Sequence, residues 1–140
     1  MEERIKDKIE KIEDFLDFLM SKIPGTLDEY KENLEIKAIC ERYVEKIVES
    51  LIDLAVLIIK YLKLESPEDD DKSFVILSKN NIISEELSKK LSDAKGMRNI
   101  IAHKYGEIDD EIVFDAINNE IENDTNEFLV IVKKIISKIK

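Results

Sequence analysis

The sequence predicts an all-α fold, an up-and-down bundle of about five helices in a single domain over residues 1–140, and three observations carry that reading. Apolar residues recur every three or four positions through most of the chain, the spacing of one helix face. Three glycines and two prolines are the only strong interrupters in 140 residues, which leaves long segments unbroken. No stretch alternates apolar and polar residues over a useful length, and no internal repeat is visible. A chain of this length can bury one real core but not two.

In chain order, Ile5, Ile9, Ile12, Leu16, Leu19 and Ile23 form the stripe of a first helix, which Pro24-Gly25 ends. Ile36, Cys40, Tyr43, Ile47, Leu51, Leu54, Ile58 and Leu62 give a second, long helix. A neighbouring set (Ile39, Val44, Val48, Ile52, Ala55, Ile59) widens its apolar stripe towards two faces. A helix that apolar belongs in the bundle core, in a dimer interface, or in both. Ser66-Pro67-Glu68-Asp69 reads as a helix start, with a serine cap, proline at the first position and acids in the first turn. That short helix should end near Asn80-Asn81, because asparagine tolerates the left-handed conformation. Ser84-Glu85-Glu86 opens the next, which carries Leu87, Leu91, Ala94, Ile100 and Ile101 and should stop at Gly106. Asp109-Asp110-Glu111 opens the last, with apolar positions from Ile112 to Ile139.

Composition excludes several functions. A net charge of -10 argues against general coating of nucleic acid, though not against a local basic site. The single cysteine, Cys40, cannot form an intrachain disulfide and fits a reducing compartment. The charged N-terminus does not resemble a secretory signal, and the longest apolar run, Leu54 to Ile59, is far too short to span a bilayer. The expectation is a soluble, cytoplasmic protein with no membrane partner. One histidine and one cysteine, far apart, cannot assemble a zinc site within one chain, and three scattered glycines make no phosphate loop. The acidic run Glu68 to Asp71 lacks calcium-loop spacing and reads as a solvated helix start. No metal and no cofactor is expected.

What remains is Met97-Arg98-Asn99-Ile100-Ile101-Ala102-His103-Lys104-Tyr105-Gly106. Arg98 offers a planar, permanently charged fork suited to phosphate. His103 is the one side chain whose unperturbed pKa lies near neutrality. Asn99 and His103, four apart, are neighbours on a helix, where the amide could fix the imidazole tautomer. Arg98 and His103, five apart, lie about 140° around a helix and would flank a groove. Lys89, Lys90, Lys95, Arg98 and Lys104 stand against one acid, Asp93, a local charge of +4 in an acidic chain. Such a patch suits an anionic substrate. Against this stands the bland reading: a histidine at a helix end is commonly structural, and a lone arginine commonly pairs with an acid. Composition and spacing alone do not identify an enzyme.

Arg98-Asn99, the four residues between Arg98 and His103, and Tyr105 two positions further on resemble the Arg-x(4)-His-x-Tyr signature of the HepT toxin family of HEPN domains. Glu49 to Ala55, Ser66-Pro67 and Ile108-Asp109 resemble that family's second long helix, its following turn and the start of its last helix, so the likeness covers most of the chain from about Glu35 onward. The resemblance implies a homodimeric, HEPN-like, metal-independent endoribonuclease, the toxin of a toxin-antitoxin pair. It implies a small MNT-type nucleotidyltransferase as antitoxin, able to attach AMP to the motif tyrosine. Carried over residue by residue, Arg98 and His103 are catalytic, Asn99 is supporting, and Tyr105 is both part of the site and the AMP acceptor. Glu49 and Asp53 are further candidates to face the site, with helix-surface polarity as the simpler explanation. The rival reading is a HEPN module that binds nucleotide or RNA, or docks a nucleotidyltransferase, without catalysis.

Overall fold

The computed structural model describes residues 1–103 and 108–139, without the side chains of His103, Lys138 and Ile139. Among the described residues every regular element is helical. The elements are α1 (Glu2–Lys22), α2 (Leu27–Glu32), α3 (Leu34–Tyr61), a 3-10 turn (Asp70–Lys72), α4 (Ser73–Lys79), α5 (Glu85–His103), α6 (Asp110–Asn119) and α7 (Ile121–Ile139).

The expected stripe of α1 is the buried one: Ile5, Ile9, Ile12, Leu16 and Leu19 all face inward. They pack along α3, the central element, which buries twelve of its residues from Cys40 to Ile59. α4 and α5 pack against other parts of α3, α7 lies against α5 and α1, and α6 bridges α2 and α7. The Phe74 and Phe128 rings meet edge-to-face at 5.9 Å and join α4 to α7 in the same core. Each fully buried Leu, Ile or Phe contributes roughly 1.5–3 kcal/mol, so α3, which buries more residues than any other helix, contributes the largest share of the cohesion.

Helix ends follow local chemistry. Lys63 takes a positive φ of 57° after α3, the Lys63 N–H donates to the Lys60 carbonyl at 3.1 Å, and the Leu64 N–H donates to the Ile59 carbonyl at 2.9 Å. That double bond pattern is a Schellman cap, here with lysine in the place glycine usually takes. Asn81 (φ 60°) closes α4 in the same way, as the asparagine pair predicts. The Ser84 hydroxyl accepts from the Leu87 N–H at 3.0 Å and caps α5.

The helix count and one helix start differ from expectation. Among the described residues there are seven α-helices instead of about five. A short helix, α2, follows Pro24-Gly25, capped by the Thr26 hydroxyl accepting from the Glu29 N–H at 3.2 Å. Its six residues are too few to show a period. The last segment bends at Glu120 (φ -120°, ψ -50°), just after the weak helix formers Asn118 and Asn119. Backbone bonds continue across the bend, from Glu120 to Ala116 and from Asp124 to Glu120, both at 3.0 Å. Nor does the short helix begin at Ser66-Pro67. Asp69 is still extended, and α4 starts only at Ser73, where Ser73, Phe74, Ile76 and Leu77 can bury. A cap sequence without an apolar face behind it does not sustain a helix.

Candidate active site on α5

The motif residues enter the fold on one element. Arg98 and Asn99 lie in the last turns of α5, and His103 is its final residue. The helix places Arg98 and His103 about 140° apart around its axis and Asn99 one turn before His103. The His103 imidazole, and all of Lys104, Tyr105 and Gly106, lie outside the described residues.

Arg98 is the best-defined member. Its side chain is only 17% exposed and stands between two carboxylates, Glu49 of α3 and Asp71 of the 3-10 turn. Nη1 is 3.7 Å from Glu49 Oε1, and Nη2 donates to Asp71 Oδ1 at 3.4 Å. Both distances exceed the roughly 2.7–2.9 Å of a tight charge-assisted bond, so these are loose restraints that leave the fork able to engage an anion. Among the described residues Nε is buried without a hydrogen-bond partner. Lys95, one turn earlier on α5, donates from its ammonium to the Asp71 backbone carbonyl at 3.4 Å.

The local charge is therefore less naked than the sequence suggests. Lys90 pairs with Glu86 one turn away at 3.3 Å, Arg98 has its two acids, and Lys89 is exposed. Glu49 does face the arginine, whereas Asp53 pairs with Lys8 of α1 at 3.4 Å. Asp71 is the residue that sequence reasoning missed. Nothing in the spacing of an acidic run tells which of its members a turn will fold back onto another helix.

On the opposite flank of α5 an apolar groove of about 650 Å³ runs against α6, with Met97, Ile100, Ile108 and Ile112 in its lining and Ile100 and Ile112 exposed. Among the described residues no three His, Cys, Asp or Glu side chains converge as metal ligands would. No helix among them is long and apolar enough to cross a membrane. Of the other tyrosines, Tyr43 and Tyr61 pack at the edge of the core, as the stripe of α3 predicts. Tyr30, in a polar stretch of sequence, is fully buried against Phe114.

Known proteins share this fold. The model of the HepT-like ribonuclease family matches residues 5–135. A tRNA nuclease HepT from Aphanizomenon flos-aquae is 32% identical over 114 residues, covering 81% of this chain and 78% of the relative. An mRNA nuclease HepT from Shewanella oneidensis is 27% identical over 114 residues, covering 81% and 85%. The solved structure of the tri-AMPylated Shewanella oneidensis HEPN toxin in complex with MNT antitoxin superposes with a TM-score of 0.85 at 27% identity, over 93% of this chain and 96% of that one. The all-helical HEPN-like fold, the arginine and histidine on α5 and the family match over nearly the whole chain have one conclusion: this chain belongs to the HepT-like ribonuclease family.

Proposed function

We propose that this chain is the toxin of a toxin-antitoxin pair, a metal-independent endoribonuclease in which Arg98 and His103 are catalytic and Asn99 supports His103. The observation that carries the proposal is Arg98, held mostly buried at the end of the helix that terminates in the chain's one histidine. Relatives named as tRNA and mRNA nucleases favour RNA as the substrate.

The chemistry suits these groups. The ribose 2'-oxygen attacks the adjacent phosphorus and the bond to the 5'-oxygen breaks. One base takes the 2'-hydroxyl proton, one acid protonates the departing oxygen, and a fixed cation stabilises the phosphorane. Arg98 supplies the cation. One imidazole cannot serve as base and acid at once, so a two-fold homodimer that brings two copies of His103 to one cleft provides both.

The proposed partner is an MNT-type nucleotidyltransferase antitoxin that attaches AMP to Tyr105, in a cytoplasmic setting. A phosphodiester at Tyr105, two residues beyond His103, could pair with Arg98 and occupy the charge that the RNA phosphate needs. Purified protein is expected to cut tRNA or mRNA in excess chelator. Binding of RNA without cleavage would favour the non-catalytic module instead.

A further inference from the structure

Arg98 has two acidic neighbours, and the second has no counterpart in the sequence motif. We propose that Asp71 is a positioning residue for Arg98: from the 3-10 turn its carboxylate holds the Nη2 edge of the guanidinium, opposite Glu49 at Nη1, so that the fork meets the RNA phosphate in one orientation. The inference rests on the assignment of Arg98 to the catalytic site.

The turn is anchored well enough to do this. The Lys72 N–H donates to the Asp69 carbonyl at 3.0 Å, and the Ser73 hydroxyl donates to the Asp70 carbonyl at 2.7 Å. Ser73 and Phe74, immediately beyond, are fully buried. α5 also grips the turn at two points one helical turn apart, Lys95 on the Asp71 backbone and Arg98 on its side chain. Asp71 is thus fixed from its own side and from the side of the arginine.

Restraint matters because an unrestrained arginine carries about 2 kcal/mol of rotamer entropy, which it would lose each time it engaged a phosphate. Holding the fork in advance removes that loss from the reaction. Each terminal nitrogen carries two N–H groups; Nη2 commits one to Asp71 and Nη1 only lies near Glu49, at 3.7 Å, which leaves donors for the phosphate. The alternative role for Asp71, a brake that neutralises Arg98, fits less well. Asp71 and Glu49 are 44% and 48% exposed and their contacts are long, so solvent screens their charge while the geometry still restrains the fork.

The test combines kinetics with a readout that needs no activity. Asp71→Ala should lower kcat about tenfold and leave KM within about twofold, the pattern of lost orientation. Asp71→Asn, which keeps an acceptor oxygen, should recover most of that loss. In an Arg98→Lys background Asp71→Ala should cost less than about twofold, since the group it orients is gone. Independently, the Nη protons of Arg98 should be resolved by NMR in the wild-type protein and merge in an Asp71→Ala protein of unchanged melting temperature. Unchanged arginine signals, an equal loss in the Arg98→Lys background, or an Asp71→Ala protein as fast as or faster than wild type would each overturn the proposal. Full activity in Arg98→Lys would instead remove the catalytic assignment of Arg98, while the NMR result would still decide whether Asp71 restrains it.

Discussion

Two buried side chains, Tyr30 and Cys40, show at the residue scale how the fold changes acid-base behaviour. Desolvation pushes the Cys40 thiol up from about 9 to about 11, with the Glu41 carboxylate adding to it. Desolvation also raises the Tyr30 phenol, helped by Cys40, Glu41 and Asp110. Between pH 9 and 11 the unfolded chain has lost the Cys40 proton and the folded chain has kept it, so the native state binds more protons and stability falls as pH rises. The melting temperature should therefore decline across that window, and the decline should be shallower in Cys40→Ala. Equal slopes in the two proteins would rule out the thiol as a source. Only half of this was legible in the sequence. Cys40 shows as an apolar position of α3, but Tyr30 sits among charged residues, and only the short helix α2 turns it inward.

Long helices were legible at the scale of elements because their periodicity is redundant: five buried residues fix the face of α1, and twelve fix α3. Short ones were not. α2 has too few residues for a period, and α4 begins where burial begins, seven residues after the serine at which cap chemistry alone would start it. The same limit hid Asp71, whose role depends on a turn of three residues. The start of α6 was readable, since Asp109 caps it, accepting from the Glu111 and Ile112 N–H groups at 3.0 and 3.4 Å. Lys37 of α3 then holds the next residue, Asp110, at 2.8 Å. Asp109→Ala should cost about 1 kcal/mol of stability in denaturant unfolding, the usual loss for an N-cap. A cost near zero would mean that the Lys37–Asp110 contact alone sets the start of α6.

For the whole molecule, a net charge of -10 and a ribonuclease function are reconciled by locality: the cation proposed for catalysis is held in place by the protein's own acids, and affinity need not come from a basic surface. Two faces of α5 differ in character. One presents Arg98 to its carboxylates, and the other, with exposed Ile100, borders the apolar groove against α6. Under the proposed mechanism one histidine per chain must serve two proton transfers through a second copy, so sedimentation at micromolar concentration should give a dimer, and a monomer at all concentrations would contradict the shared-site mechanism. The most direct test of the account compares RNA cleavage in chelator by wild-type, Arg98→Ala and His103→Ala proteins of equal melting temperature. Each substitution should lower the rate by at least about a hundredfold, the scale expected for losing a charge-stabilising or acid-base group. Cleavage undiminished in both variants would contradict it.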